Sequence, residues 1–400
     1  MKQKRLLEGV HVLTTDAEKR IGLYAIRYLG RAGAVISGIA ANDAAKTPIG
    51  FLSRYIQRKI LFRKERFLPE LKDFLIQNSG EFHVINPVDI AQMLCVIDTD
   101  KEHRLNSSYL LPKRESLVIA DNKELLTKHA QESGLRCPKT FSRISPDEIK
   151  GFCGGELTFP CIIKFRGDNR ETHWRPEERY SIVHSDDTLA SEYRRMHDIE
   201  PYPIIQEYIE GKGFGFFALY DKKKDLKAEF CHKRIREYPT RGGPSSCCES
   251  IRDPELSRIG RRLLESLEWT GLAMVEFKFD EVRKQYFIIE VNPRYWGSLP
   301  LAVYSGVNFP VLHALSALER DYDAVREYRL GIKIRFFDRD VKAIMSLAGL
   351  EENLAKKTKL ILEIFNPMIK DGFISLDDLG PLLGRLFQAK PSGGSRNACI

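Results

Sequence analysis

The sequence predicts an α/β protein in which a parallel-sheet domain precedes a module built on antiparallel hairpins. Residues 9–39 have the pattern of a strand, a helix and a second strand, which is how a parallel sheet opens. Residues 213–236 and 273–294 each contain two alternating apolar runs joined by a polar turn, the pattern of an antiparallel hairpin. A parallel sheet and separate antiparallel sheets are therefore expected in one chain.

The individual elements follow from periodicity and from capping residues. Asp16 suits the N-cap of the first helix and Asp121 that of a later one, because a short side-chain oxygen can accept the free amides of a first helical turn. No Gly-x-Gly-x-x-Gly follows the first strand, so a dinucleotide fingerprint is excluded. Strands are predicted at 9–15, 34–39, 83–87 and 330–336, helices at 67–78, 121–133, 254–268, 311–318 and 350–365, and either state at 95–98.

Composition and charge restrict the function classes. Of 400 residues, 43% are hydrophobic and 30% charged, as in an ordinary soluble protein. No apolar run reaches the roughly 20 residues of a membrane span, and the first residues lack an apolar signal-peptide core, so we expect a cytoplasmic protein with no membrane partner. The net charge is +8, but the basic residues are spread along the chain and interleaved with 55 acidic ones. This distribution does not indicate a nucleic-acid interface.

The eight cysteines are expected to be reduced. None of them forms a C-x-x-C pair, and Cys247 and Cys248 are too close in sequence for an ordinary bridge. The ligand spacings of a zinc site are also missing.

Two neighbouring strands are predicted to place acidic side chains opposite each other. Alternation within residues 273–294 puts Ile288, Glu290 and Asn292 on one face, and a symmetric hairpin sets Glu276 opposite Glu290. Facing carboxylates are destabilising unless a positive charge lies between them. Two carboxylates and an amide suit a hard divalent ion such as Mg²⁺. The alternative is a strand face in water that nearby Lys and Arg neutralise.

This segment resembles the signature of a known superfamily. Glu276 and the run Glu-Val-Asn-Pro-Arg-Tyr-Trp-Gly-Ser at 290–298 are similar to the metal-binding and catalytic residues of ATP-grasp proteins, most closely carboxylate-amine ligases and carbamoyl-phosphate-synthase-like members. The resemblance extends from about Ser116 to Pro310. It implies a Rossmann-like pre-ATP-grasp domain at 1–115 and an α+β ATP-grasp module at 116–315 with a lid at about 138–210. A C-terminal extension with a disordered tail is expected at 316–400.

The resemblance also implies roles for individual residues. Lys164 ends a Pro-x-x-x-Lys strand of the kind that meets ATP phosphates, and Lys123 follows a capping Asp as in similar proteins. The implied metal ligands are Glu276, Glu290 and Asn292; the catalytic residues Arg294, Lys164 and Arg234; the ATP-binding residues Lys123, Lys164, Gln206, Glu207, Tyr208, Ile209 and Glu210; and the substrate residues Arg236, Gly242, Gly243 and Ser245.

Three features depart from the family pattern or leave a choice open. The usual glycine-rich flap is replaced by residues 165–175, whose arginines at 166, 170 and 175 either cover the γ-phosphate or only cap a lid. A family ribose contact is replaced by Gly213 or Phe214. Alternation places His232, Arg234 and Arg236 in line, and three potential cations would bind a phosphate or a substrate carboxylate.

Together, these motifs imply an ATP-dependent ligase that uses Mg²⁺ or Mn²⁺. A carboxylate would attack the γ-phosphate of ATP, and an amine would capture the acyl phosphate; family members often form homodimers. Bicarbonate activation, as in carbamoyl phosphate synthases and biotin carboxylases, is an alternative. A nucleotide-binding module without chemistry is another.

Overall fold

The computed structural model describes residues 5–43, 46–151, 157–167, 180–240 and 242–388. The chain forms two compact units. The first comprises Met1–Tyr109, Ala317–Arg320 and the segment from Asp371 onward, and the second Leu110–Ser316 and Asp321–Lys370. The region expected to be a separate C-terminal extension therefore divides between the two units.

The elements are numbered in chain order. The strands are β1 (His11–Thr14), β2 (Val35–Asn42), β3 (Ile56–Arg63), β4 (Val84–Asn86), β5 (Thr140–Phe141), β6 (Cys161–Lys164), β7 (Tyr180–Val183), β8 (Ile204–Glu207), β9 (Gly211–Tyr220), β10 (Leu226–Glu237), β11 (Ser245–Ile251), β12 (Gly271–Asp280), β13 (Gln285–Asn292), β14 (Lys333–Arg335) and β15 (Ile369–Asp371). The helices are α1 (Arg20–Arg31), α2 (Phe67–Asn78), α3 (Ile90–His103), α4 (Arg114–Asp121), α5 (Lys123–Glu132), α6 (Asp186–Ile199), α7 (Pro254–Ser266), α8 (Leu299–Ser305), α9 (Phe309–Ala317), α10 (Phe337–Leu350), α11 (Leu354–Leu362) and α12 (Gly380–Gln388). Each described helix falls short of the length and apolarity that a membrane span requires.

The first unit contains the predicted parallel sheet. Its strand order is β3-β2-β1-β4, and all three pairings are parallel. Apolar residues of β1, β2 and α1 fill its interior, among them Leu13, Ile36 and Leu23. The ambiguous residues 95–98 lie inside α3. This is the parallel sheet expected from the strand, helix and strand opening.

Asp16 does not cap α1, contrary to the prediction. The helix begins only at Arg20, and Asp16 has a left-handed backbone with φ 56°. Its buried carboxylate accepts hydrogen bonds from Lys19 Nζ at 2.9 Å and from Gln92 Nε2 at 2.6 Å. These hydrogen bonds engage the Asp16 carboxylate on the carboxyl side of β1, so it does not accept a hydrogen bond from a backbone N–H of α1.

A buried ion pair connects the two ends of the chain within the first unit. Arg27 of α1 is 3% exposed, and its Nε donates to Asp378 Oδ2 at 2.7 Å, where Asp378 is 1% exposed. The same guanidinium donates to the Phe373 carbonyl at 2.6 Å, and Ser53 Oγ donates to Asp378 Oδ2 at 2.8 Å. The segment after residue 370 is therefore an integral part of the N-terminal domain.

The second unit contains two sheets, as the predicted hairpins require. The larger sheet has the order β13-β12-β9-β10-β11-β14-β15, and its pairings from β13 to β14 are antiparallel. Leucines of α7 pack against Phe216 and Val275 on one face of this sheet. The smaller sheet, β5-β8-β6-β7, is covered by α6 and spans most of the predicted lid.

Candidate active site

Two carboxylates and one amide converge at the end of the larger sheet. Glu276 of β12 is the cross-strand partner of Glu290 of β13, as predicted. Asn292 Nδ2 lies 2.9 Å from Glu290 Oε1 and 3.4 Å from Glu276 Oε1. The three predicted metal ligands therefore lie within hydrogen-bonding reach of one another.

A β-bulge corrects one detail of the predicted hairpin. Val275 pairs with Val291 and Glu276 with Glu290, but Phe277 pairs with Ile288, so Ile289 is an extra residue on β13. The bulge turns Ile288 into the hydrophobic core beside Phe277, instead of onto the face of Glu290. Strict alternation was wrong for Ile288 because consecutive isoleucines give no signal of an inserted residue.

The pKa values of the two carboxylates shift in opposite directions, because their charged neighbours differ. Burial raises the pKa of Glu276, and the neighbouring Glu290 adds to the rise against the opposing effect of Arg234. Burial also disfavours the charged form of Glu290, but Lys123, the Asn292 amide and Lys164 outweigh it and hold the pKa of Glu290 below its usual range. The pair therefore carries a fixed negative charge on Glu290 beside two ammonium groups.

The two lysines that were predicted to bind phosphate, Lys123 and Lys164, lie near the Glu290 carboxylate. Lys164 is the last residue of β6, and Lys123 is the first residue of α5. Burial lowers the pKa of Lys164 to about 8, and the nearby ammonium of Lys123 adds to the shift. Backbone geometry ties the two segments, because the Lys123 N–H donates to the Arg166 carbonyl at 2.7 Å.

Asn122, and not Asp121, caps the helix that carries Lys123. The Asn122 side chain accepts hydrogen bonds from the N–H groups of Glu124 and Leu125, whereas Asp121 ends the preceding helix α4. Both residue types cap helices well, so the sequence alone does not distinguish these neighbouring positions.

Arg234 reaches the carboxylates across a strand that bears glycines. Its Nη2 contacts Glu276 Oε2 and its Nη1 lies 3.2 Å from Glu237 Oε1. Strand β9 lies between β10 and β12, and there Gly215 pairs with both His232 and Glu276. A Cβ on Gly213 would lie 2.6 Å from Arg234 Cδ. Glycine is needed at position 213 because the Arg234 side chain fills the space that a Cβ would occupy there.

The predicted line of three cations does not exist. The pairing of β10 with β11 shifts register on either side of Arg236, whose guanidinium forms two hydrogen bonds to the buried Asp340 at 2.8 and 2.7 Å. His232 is fully buried, and burial lowers its pKa to about 3, so it is neutral. Of these three residues, Arg234 alone is a cation that contacts the carboxylates. Arg236 is held by a helix, α10, that the sequence pattern had not predicted.

The predicted nucleotide hinge follows the central strand of the smaller sheet. Gln206 pairs with Thr140 on one side and with Ile162 on the other. The Glu207 carboxylate is held by Arg283 Nη1 at 2.8 Å and by the Lys139 N–H at 3.3 Å. Tyr208, the buried Ile209 and the exposed Glu210 lead into β9. Arg283 was missed, because it stood in a polar turn with no other signal.

The remaining predicted residues lie in loops near these strands. Arg294, half-buried, follows the ligand strand and donates to the Tyr295 carbonyl at 3.3 Å. The Gly243 carbonyl accepts from Arg234 Nη1 at 3.5 Å, which brings the predicted substrate loop to the site. Ser245 Oγ instead donates to the Cys247 carbonyl at 3.2 Å. Gly242 lies beside Tyr180. The predicted flap arginines at 170 and 175 lie outside the described residues.

The donor set fits a hard divalent cation. Within the described residues no group of three His, Cys, Asp or Glu side chains could hold a metal, but Glu276, Glu290 and the Asn292 amide together offer oxygen donors. Mg²⁺ prefers such oxygens and retains positions for phosphate and water. The arrangement can thus hold a metal–phosphate group between carboxylates and lysines.

One family model matches the part of the chain that contains the two ligand strands. Residues 229–339, which include β12 and β13, match the model of a family described as ATP-grasp in the biosynthetic pathway with Ter operon. A curated relative, the carbamoyl phosphate synthase large chain of Thermotoga neapolitana, is 24% identical over 206 residues, or 49% of this chain. The match spans only 18% of that relative's length.

Solved structures share the fold at low sequence identity. The biotin carboxylase domain of the Hydrogenobacter thermophilus 2-oxoglutarate carboxylase, solved as a dimer with MgADP, ADP and bicarbonate, has a TM-score of 0.64 and 15% identity, covering 81% of this chain and 73% of that one. An L-amino acid ligase from Bacillus licheniformis has a TM-score of 0.57 and 15% identity, covering 78% of this chain and 75% of that one. These likenesses establish the predicted fold.

Proposed function

We propose that this chain is an ATP-grasp protein and an ATP-dependent ligase, because residues 229–339 match an ATP-grasp family model and the chain shares the fold of a solved biotin carboxylase domain. It activates a carboxylate as an acyl phosphate and joins it to an amine, releasing ADP and phosphate. One observation carries this proposal: Glu276, Glu290 and Asn292 converge where Lys123 and Lys164 bring two ammonium groups.

The roles of the side chains follow from charge. Phosphoryl transfer needs positioning and electrostatic stabilisation more than covalent help from the protein. Lys164 and Lys123 hold the ATP phosphates as point cations. Glu276, Glu290 and Asn292 would hold Mg²⁺ or Mn²⁺, which when bound would neutralise negative charge on the phosphates. Arg294 stabilises the charge that develops during transfer, and residues 206–210 bind the adenine end through the backbone.

Arg234 is the residue that we assign to the acceptor carboxylate. It is a buried cation that contacts Glu276 and the Gly243 carbonyl of the adjacent loop. A guanidinium is suited to paired hydrogen bonds with a carboxylate. Arg236 is less suitable, since its guanidinium is paired with the buried Asp340 of α10 instead of with the proposed metal ligand Glu276.

Bicarbonate activation is the second candidate. The curated relative is a carbamoyl phosphate synthase chain, and the biotin carboxylase domain was solved with bicarbonate. The same cluster of carboxylates and lysines would serve bicarbonate as well as an organic acid, so the acceptor has to be identified by experiment.

A hydroxylamine-trapping screen tests the proposal directly. Purified protein is incubated with Mg-ATP, hydroxylamine and individual carboxylic acids, and hydroxamate and phosphate are measured. A ligase gives hydroxamate and phosphate release that depend on one class of acid. Phosphate release that needs only bicarbonate would favour the second candidate, and ATP binding without any release would identify a non-catalytic module.

We also propose that the protein is cytoplasmic and forms a homodimer. Sedimentation of the purified protein tests the homodimer.

A further inference from the structure

A buried glutamate lies behind the two lysines of the active site. Glu200 directly follows α6 and is only 5% exposed. Its Oε1 accepts a hydrogen bond from the Arg166 N–H at 3.0 Å. Arg166 Nη2 donates to the carbonyl of the next residue, Pro201, at 3.0 Å. Backbone and side chain of Arg166 are thus both anchored to the end of α6.

Arg166 in turn links the two lysines. It lies two residues after Lys164, at the exit of β6. Its carbonyl accepts the Lys123 N–H at 2.7 Å, which occupies one of the free amides of the first turn of α5. The backbone of Arg166 is therefore hydrogen-bonded to Glu200 through its N–H and to Lys123 through its carbonyl.

The hydrogen bonds that join Arg166 to Glu200 and to Lys123 would keep the two lysine backbones in fixed positions. Two ammonium groups repel each other, and Lys123 lowers the pKa of Lys164. Flexible lysine side chains would separate unless their backbones were fixed. Glu200 is itself costly to bury, since its Oε2 has no hydrogen-bond partner among the described residues and burial raises its pKa. A fold that needed only packing here would be more stable with an apolar residue.

We propose that Glu200 is a positioning residue of the active site, which holds Lys123 and Lys164 in place for the ATP phosphates by fixing the backbone of Arg166. This inference rests on the proposed function of the two lysines. It also gives Arg166 a different role from a flap arginine, because its guanidinium is turned toward Pro201 and Glu200.

Binding of Mg-ATP to the full chain tests the inference without a known acceptor. Titration calorimetry with Glu200→Ala is expected to show an affinity about tenfold or more below that of the unchanged protein, the weight of one hydrogen bond to a charged group. Glu200→Gln retains an acceptor for the Arg166 N–H and should stay within about threefold. Glu192→Ala is the matched control: Glu192 lies on the same helix, α6, but binds Ser181 and Arg195 instead of Arg166.

A double-mutant cycle separates positioning from simple loss of stability. If Glu200 acts through the lysines, Glu200→Ala should cost clearly less affinity in a Lys123→Ala background than in the unchanged protein, because only Lys164 then remains to be positioned. An equal loss in both backgrounds, or a loss shared by Glu192→Ala, would overturn the inference, as would unchanged binding by folded Glu200→Ala. Failure of the unchanged protein to bind Mg-ATP is a separate result, and it would overturn the proposed function itself.

Discussion

Replacement of Gly213 by alanine tests how Arg234 reaches the carboxylates. The new Cβ would lie 2.6 Å from Arg234 Cδ and 2.7 Å from Glu237 Oε1. Nonbonded carbon atoms need about 3.5 Å, so from 2.6 Å the arginine has to move by about 0.9 Å. Arg234 would then lose its contact with Glu276 or its hydrogen bond to Glu237.

The displacement sets the expected magnitudes. Overpacking of a filled site costs about 1–3 kcal/mol of unfolding free energy, and a shift of about 1 Å in an active-site group can lower kcat/KM about 100-fold. Urea unfolding followed by tryptophan fluorescence measures the first quantity. Carboxylate-dependent phosphate release, with an acid found by hydroxylamine trapping, measures the second.

Gly349→Ala provides the control for Gly213→Ala. Gly349 lies near the end of α10, and a Cβ there would meet no atom within 4 Å. This variant should keep the activity of the unchanged protein, and its stability should not fall, because alanine favours a helix more than glycine does. Full activity in Gly213→Ala, or an equal loss in Gly349→Ala, would show that the glycine does not make room for Arg234.

Three further outcomes are expected. Glu290→Gln should abolish phosphate release while the chain stays folded, and full activity at limiting Mg²⁺ would contradict the assigned metal site. Asp378→Ala should lower the unfolding free energy by about 3–5 kcal/mol, because it leaves the Arg27 guanidinium buried without a carboxylate; Asp377→Ala, at a more exposed ion pair, should cost less. Burial lowers the pKa of His313 to about 4, so the unfolded chain takes up this proton first. Stability should fall by about 3 kcal/mol from pH 7 to pH 4 at this residue, and urea midpoints of His313→Gln should decline less over that range.

The sequence was sufficient where the signal is local. Two alternating runs around one polar turn predict the hairpin and the pairing of Glu276 with Glu290, which the structure contains. The parallel sheet of the first unit likewise follows from a short strand, helix and strand pattern. In both cases the side-chain period determines the partners, so neighbouring residues carry the information.

Register irregularities and distant contacts could not be predicted in this way. The bulge at Ile289 and the register shifts around Arg236 change which face a side chain occupies, but they depend on the partner strand. Asp340 is 104 residues from Arg236, and no periodic pattern marks it as the partner. Glu200 shows the same limit, because a single glutamate after a helix reads as a solvated residue until its burial is known.

The buried pair of Arg27 and Asp378 determines when the first unit can be completed during synthesis. These residues are 351 positions apart, so the ribosome must translate 351 further residues after Arg27 before the guanidinium gains its counter-ion. Until then the nascent N-terminal region carries a charge that is expensive to bury. An isolated fragment of residues 1–109 would have the same defect, and a shortened clone that keeps the segment through residue 388 is the better choice for expression.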